Sequence, residues 1–316
     1  MDIIRHSDNL PEAVRGGSVT IGNFDGVHLG HAQIIRRLVA KAVEAGGPPV
    51  VFTFEPHPVR LLRPESAPHP LTWTDRKAAL LAELGVGALV AYPTDRSLLQ
   101  LEPSDFFADI VVRWLGARSM VEGPNFHFGR DRKGDVQTLS QLASAAGVDL
   151  EIVDPVEREG QIVSSSRVRQ LLAEGQLDTV TRLLTQPYRI RGMVTHGAGR
   201  GKSIGFPTAN LEAVDTLLPA EGVYAGRAYV SGRSWPAAIN IGPNPTFGEA
   251  ALKVEVHLAG FDDSLYSLPV EVDFLARLRD IHPFSDVEQL KQQLAADVER
   301  TQSIFEKSKP VNSGNL

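Results

Sequence analysis

The chain contains no cysteine. That excludes a disulfide scaffold, a thiolate-ligated metal or cluster, and a thiol nucleophile. Long apolar runs are missing too. No stretch approaches the roughly 18 residues that cross a bilayer, and the first twenty residues, MDIIRHSDNLPEAVRGGSVT, lack the apolar centre of a signal peptide. There is no basic excess: Lys and Arg total 32 against 38 Asp and Glu, a net charge of −6. A general nucleic-acid binder, which carries a positive face, is therefore not expected. A small anionic substrate remains open, because a phosphate site needs only a few donors. What is present is an ordinary globular composition, 42% hydrophobic and 22% charged over 316 residues. At about 150 residues per domain this suggests two cores. The expectation is a cytoplasmic protein of two domains, with no nucleic-acid or membrane partner and with room for a weak homo-oligomer.

The first half alternates strand-like and helix-like segments. Residues 17–22 (GSVTIG), 49–54 (PVVFTF), 88–92, 119–122 and 148–153 read as strands. Between them, residues 32–43, 75–84, 104–115 and 139–146 read as helices, the first with Ile34, Ile35, Leu38, Val39, Ala42 and Val43 on one face. Ser104 is the expected cap of the third. Such alternation implies a parallel sheet covered by helices. Past Leu184 the segments become short and β-rich: residues 188–194, 222–230, 237–242, 253–258 and 269–274, punctuated by Gly and Pro. That pattern predicts a small antiparallel barrel. Ser285 is the expected cap of a final helix over 286–305, and the last residues read as a frayed tail. The boundary falls just before Pro187, giving domains 1–186 and 187–316.

Residues 22–31 read GNFDGVHLGH between the first strand and the first helix. In an open α/β sheet this is where a ligand crevice forms. Gly22, Gly26 and Gly30 let the backbone approach a phosphate, and the helix start supplies N–H donors. His28 and His31, three residues apart, share one side of the first turn. Two imidazoles there suit the charge that develops at an α-phosphate during nucleotidyl transfer. Alone, the pair reads equally as two surface histidines; no third ligand makes it a zinc site. Three other segments follow strands in the same half. Ser164, Ser165, Ser166 and Arg167 (SSSR) offer hydroxyls and a guanidinium at a helix start, or a plain capping run. Asn125 (GPNFHFG) offers an amide to a base or phosphate, or fills a turn. Phe54, Pro56 and Pro58 (FEPHP) present flat surfaces to a ring, or form a rigid turn. Parallel strands bring such loops to one edge, and this convergence points to a nucleotide-using transferase.

The second half carries GAGRGKSIGFPTAN over residues 197–210. It is not a P-loop: His196 stands where the first glycine belongs, and strand-like residues with Pro207 follow instead of a helix. A glycine loop containing Gly199, Gly201 and Lys202 can still wrap polyphosphate through backbone N–H groups. Thr208 and Asn210 alternate along an extended segment, so both point one way and offer oxygens to Mg²⁺; an ordinary strand threonine is the plain alternative. Glu255 in KVEVHL lies opposite Val254 and Val256. Projecting into a barrel mouth, it would accept a hydroxyl proton; a solvent-facing strand glutamate is the commoner case.

Taken together and in order, GNFDGVHLGH, FEPHP, GPNFHFG and SSSRVR, then GRGKSIGFPTANL, GVYAGRAYV, NIGPNPTFG and VEVHLAGFDDSLY, closely resemble the bacterial bifunctional riboflavin kinase / FMN adenylyltransferase family over nearly the whole chain. The resemblance implies a Rossmann-like nucleotidyltransferase domain and a kinase barrel with a C-terminal helix. It implies phosphorylation of riboflavin by ATP to FMN, then adenylylation of FMN to FAD and pyrophosphate, with ATP, flavins and Mg²⁺ as ligands. By the same resemblance His28, His31 and Glu255 are catalytic. Gly22, Phe24, Asn125, Ser164, Ser165, Arg167, Gly199, Gly201 and Lys202 bind nucleotide. Phe54, Pro56, Pro58, Phe128 and Arg279 bind flavin, and Thr208 and Asn210 bind the metal. Ser166, Ser267 and Ile281 depart from the family's usual threonine, glycine and acidic residue, so a charge pairing at Ile281 is not expected. The rival readings are a flavin- or nucleotide-binding regulator without catalysis and an adenylyltransferase for another phosphorylated acceptor.

Overall fold

The computed structural model describes residues 1–5, 10–196, 200–244 and 249–308. They form two compact units, one of Met1–Pro68 with Trp73–Ser165 and one of His69–Thr72 with Ser166–Leu316.

The first unit is a parallel sheet of β1 (Asp2–Ile4), β2 (Ser18–Ile21), β3 (Pro49–Glu55), β4 (Ala88–Pro93), β5 (Ser119–Glu122) and β6 (Asp149–Ile152). The order is β1-β4-β3-β2-β5-β6. Connections include α1 (Leu29–Ala45), α2 (Pro58–Leu62), α3 (Thr74–Glu83), α4 (Arg96–Leu99), α5 (Pro103–Phe106) and α6 (Val136–Ala146). All four residues of β2 are buried, as a parallel strand covered on both faces requires. The alternation of the sheet's strands feeds two cores. Val19 and Ile21 join Phe52, Val90, Phe106 and Met120 on one face. Val51, Leu89 and Val121 join Ile35, Leu38 and Leu81 on the other. The chain runs outward from β2 to β3 and β4, then returns to the far side of β2 as β5 and β6. The order therefore reverses at the β2–β5 pair, where a ligand crevice is expected at the carboxyl ends.

Two expectations for this unit are corrected. The segment after Gln100 is not one helix capped by Ser104. It starts at Pro103, whose ring suits a first helical position, with Glu102 at the cap, and continues as π-helical Phe107–Trp114. Strand β1 and a short hairpin, β7 (Glu157–Arg158) with β8 (Gln161–Ile162), were not foreseen.

The second unit contains α7 (Ser165–Ala173, beyond its first residue), α8 (Leu177–Leu183), β9 (Arg189–Thr195), α9 (Arg200–Ser203), β10 (Ala209–Glu212), β11 (Gly222–Val230), β12 (Arg233–Asn244), β13 (Glu249–Leu258), β14 (Pro269–Arg279) and α10 (Val287–Lys307). Its grouping takes in α7 and α8, which lie upstream of the boundary read at Pro187. Six strands close into a barrel of order β10-β13-β12-β11-β14-β9. Ile190, Tyr224, Ile239, Val256 and Phe274 fill it, all fully buried. The seam between β14 and β9 is held by Arg189, whose Nε and Nη2 donate to the two carboxylate oxygens of Asp273 at 2.5 and 3.0 Å. Tyr229 donates to the same carboxylate at 2.8 Å and lies under the guanidinium. Gly226 is required beside this seam: a Cβ there would sit 2.3 Å from the Asp273 carbonyl oxygen. The cap of α10 is Asp286, which accepts from Gln289 N–H at 2.9 Å. Ser285, expected there, instead donates to Asp286 at 3.2 Å. Residues 309–316, read as a tail, lie outside the described residues.

Candidate active sites

The turn after β2 is tightly built. Phe24 and Val27 adopt left-handed backbone angles (φ 45° and 39°), and Gly26 has φ 84°. Non-glycine residues rarely adopt such angles, so the surroundings hold the turn: Phe24 is buried and packs among the residues over α1, its ring 5.0 Å from that of His31. His28 caps α1, its Nδ1 accepting from His31 N–H at 3.3 Å. The neutral ring therefore carries its proton on Nε2. The two imidazoles stack at 3.6 Å. Gly30 makes that possible, because a Cβ there would lie 3.1 Å from the His28 ring and 3.2 Å from the Val163 carbonyl oxygen.

Burial, then the neighbouring His28, then Lys77 hold His31 well below the ordinary imidazole pKa. His31 is thus neutral at physiological pH. Its Nδ1 is buried with no hydrogen-bond partner among the described residues, which leaves a hydrogen-bonding position for a ligand atom or water. Ser165, opening α7, donates to the Asp25 carbonyl oxygen at 2.8 Å, which ties the serine run to the turn.

Sequence reading missed Lys77. Its ammonium reaches Thr53 Oγ1 at 3.4 Å, and Thr53 donates to the Asn23 carbonyl oxygen at 3.3 Å. Burial lowers the Lys77 pKa, with Asp25 and Glu55 opposing. In TDRKAALL it looks like any lysine on an amphipathic helix. The only signal was that α3 begins beside the carboxyl edge of the sheet.

The remaining residues of this unit divide. Asn125 is exposed in the turn after β5. Phe54 is half-buried at the end of β3, its ring 5.3 Å from Phe52. Pro56 is exposed and Pro58 opens α2. Phe128, read as a flavin contact, is a core residue stacked on Phe126 at 5.4 Å and packed near Phe106. Ser164 and Arg167 are half-buried, Arg167 falling in the residues of the second unit.

In the barrel, register does what loop convergence does in the sheet. Asn210 on β10 faces Thr195 on β9 and Glu255 on β13, and Glu255 faces Asn240 on β12. Directly paired residues in an antiparallel sheet have Cβ atoms about 5 Å apart. Thr195, Asn210, Glu255 and Asn240 therefore form one polar row. Val254, Val256, Ala209 and Leu211 are buried on the opposite side. Glu255 thus belongs to the outer row and not to the barrel interior, which corrects its expected place in a barrel mouth. Thr195 Oγ1 is buried without a partner among the described residues.

Asn240 and Thr195 were not singled out by sequence; the alternation of AAINI was the available signal. Thr208 is exposed, one residue before β10. Residues Arg200–Ser203 form the single turn α9, and no helix follows GKS, as the sequence indicates. That turn ends at the serine, so the P-loop reading still fails. Gly201 is packed so closely that a Cβ would lie 2.3 Å from the Phe206 carbonyl oxygen. Gly199 lies outside the described residues, as does the Lys202 side chain. A cleft of about 450 Å³ beside the row is lined by His196, Asn210, Leu218 and Lys253, among others. Arg279, expected at flavin, donates to both carboxylate oxygens of Asp297 on α10 at 2.8–3.3 Å. It pins the helix to the barrel, and Asp297 is the charge partner that Ile281 does not provide.

Comparison with known proteins is consistent along the chain. The family model described as FAD synthetase matches residues 10–167, and that described as riboflavin kinase matches residues 184–305. The bifunctional riboflavin kinase/FMN adenylyltransferase of Pseudomonas fluorescens is 39% identical over 299 residues, 94% of this chain and 96% of its own. The enzyme of that description from Escherichia coli K12 is 35% identical over 98% of this chain and 100% of its own. The one from Bacillus subtilis 168 is 33% identical over 93% and 94%. A solved chain from Streptococcus pneumoniae, described as a macrolide-efflux protein, superposes with TM-score 0.84 at 31% identity, covering 96% of this chain and 99% of that one.

Proposed function

The chain belongs to the bifunctional riboflavin kinase/FMN adenylyltransferase family, and on that premise we propose which residues carry each of its two reactions. The protein is a transferase of flavin cofactor synthesis. It phosphorylates riboflavin with ATP to FMN, and transfers AMP from ATP to FMN, giving FAD and pyrophosphate. We assign adenylyl transfer to the crevice after β2 and phosphorylation to the polar row of the barrel. We keep the functional division before Pro187, with α7 and α8 leading into the kinase half.

The FMN phosphate is the nucleophile in adenylyl transfer, so the protein's work is positioning and charge stabilisation. His28 donates from Nε2 to the α-phosphate, because its Nδ1 is occupied by the helix cap. Neutral His31 and the cation Lys77 face the polyphosphate beside it. Gly22, Phe24 and Gly30 shape the turn, while Ser164, Ser165, Arg167 and Asn125 hold the nucleotide. Phe54, Pro56 and Pro58 offer their surfaces to the flavin ring. Phe128 supports that loop from the core.

In the kinase half Glu255 accepts the proton of the attacking riboflavin hydroxyl. Asn210 and Thr208 would hold Mg²⁺, and Gly201 would border the polyphosphate. The donor set fits a hard cation that also takes nucleotide oxygens: a hydroxyl and an amide oxygen, with Thr195 Oγ1 unsatisfied beside them. When bound, the ion screens the negative charge of the transferring phosphoryl group. The observation that carries the reading is the pair of separate constellations, each in the half that its family match covers. Among the described residues no helix is long and apolar enough to cross a membrane, and we place the enzyme in the cytoplasm.

Incubation with riboflavin, ATP and Mg²⁺, followed by chromatography of the flavins, tests the proposal. FMN should appear first and FAD after it, with one pyrophosphate per FAD. Failure to convert supplied FMN to FAD would remove the first assignment, and failure to make FMN from riboflavin would remove the second.

A further inference from the structure

Glu122 is the last residue of β5, is 3% exposed, and takes no part in the chemistry assigned above. Its position is set by a break in the sheet. Strands β2 and β3 stay paired over all four residues of β2, through Ile21 and Phe52. Strands β2 and β5 pair only at Ser18–Ser119 and Val19–Met120 and then part. On its other side β5 remains paired with β6 as far as Glu122 and Ile152.

In a parallel strand, alternate residues turn their N–H groups to opposite neighbours. Ser18 and Gly22 donate to Pro48 and Phe52 on the β3 side, so Ile21 points to β5, where the backbone partner has moved away. Its N–H donates instead to Glu122 Oε1 at 2.7 Å. A buried unpaired N–H would be costly, and one side chain removes that cost while leaving the gap open. The gap lies at the strand-order reversal. The chain leaves its two sides as the Gly22–His31 turn and as the loop carrying Asn125. Burial pushes the Glu122 carboxyl well above its ordinary pKa, against the opposing bonds from Ile21 and Thr20.

We propose that Glu122 is a positioning residue for adenylyl transfer: it stands in for a backbone carbonyl across the split between β2 and β5, and so sets the distance between the histidine turn and the Asn125 loop. This rests on the assignment of adenylyl transfer to that crevice. Because the bond needs an oxygen acceptor and not a charge, glutamine should replace glutamate and an apolar side chain should not.

Both activities are measured on the full chain for Glu122→Gln, Glu122→Leu and His28→Ala. Glu122→Gln should form FAD from FMN within about threefold of the parent rate. Glu122→Leu should lose about tenfold or more in kcat, the scale of one buried hydrogen bond. Riboflavin phosphorylation, which reports folding of the barrel half only, should be unchanged in both, and recovery of adenylylation in the Gln variant separates lost positioning from lost folding of the sheet. Equal impairment by Gln and Leu would overturn the proposal, since the charge would then be what matters. So would unimpaired adenylylation in the Leu variant, or loss of both activities in the Leu variant, either of which would leave Glu122 a purely structural part. His28→Ala separates the two levels. If it spares adenylylation, the crevice assignment itself fails; if it impairs adenylylation while Glu122→Leu does not, only the present inference fails.

Discussion

The sheet and the barrel assemble their candidate sites by opposite routes. In the sheet, each strand end contributes a short contiguous segment, and parallel direction gathers the segments at one edge. His28, His31 and the three glycines of their turn come from ten consecutive residues. In the barrel, single residues on different strands meet sideways through register. Asn210 and Glu255 are cross-strand partners, and Asn240 joins them from a third strand. The first kind of site is written as motifs. The second depends on a pairing that no local segment states. It is also more exposed to slippage, since a shift of one residue would turn every member of the row to the other face.

The largest effect should come from testing whether the two halves are chemically independent. Glu255→Gln should lower riboflavin phosphorylation by about 10²–10⁴, the usual contribution of a general base. FAD formation from supplied FMN should stay at the parent rate. Steady-state assays of both reactions on one preparation give the answer, and matched losses would end the two-site description.

The reciprocal test is His28→Ala. Its kcat for FMN adenylylation should fall by about 10²–10³, as expected for losing one preorganised donor at the transition state. The KM for ATP should move much less, and phosphorylation should be unaffected. A raised KM with intact kcat would make His28 a binding group.

The two routes also explain what could be read beforehand. Strand Ser119–Glu122 and strand Gly222–Val230 were bounded correctly because apolar runs end there at turn residues. Strand β12 is longer than the predicted 237–242, since Pro236, Pro243 and Asn244 look like punctuation but lie within it. Strand β14 continues to Arg279 past the predicted Phe274 because its arginines lie half-exposed on the barrel. Strand β10, four residues next to a glycine loop, was legible only as an extended segment in which Thr208 and Asn210 alternate. The histidine turn was legible as a motif, whereas its charge environment was not: Lys77 lies 46 positions beyond His31 and arrives through tertiary packing.

A finer prediction sharpens that last point. Lys77 is one of the groups holding His31 neutral, after burial and His28. Removing a nearby positive charge makes the imidazolium less costly, so the His31 pKa should rise in Lys77→Met. The acid limb of the adenylylation profile should then move upward by about half a pH unit or less, because Lys77 is the smallest of the three causes. The pH profile of phosphorylation should keep its shape. A downward shift, or parallel shifts in both reactions, would detach Lys77 from the histidine pair.

The Arg189–Asp273 contact at the barrel seam joins residues 84 positions apart, and its distance along the chain has a consequence for synthesis. As the polypeptide leaves the ribosome, the last strand of the parallel sheet ends at Ile152, and that layer can consolidate while the second half is still being made. The barrel has no such option. Its first strand, β9, pairs with its last, β14, so β9 must wait with one edge unpaired until nearly the entire message has been translated. The interval between residues 195 and 269 is therefore the period in which the nascent chain carries an open strand edge, and in which assistance from a holding chaperone would matter most.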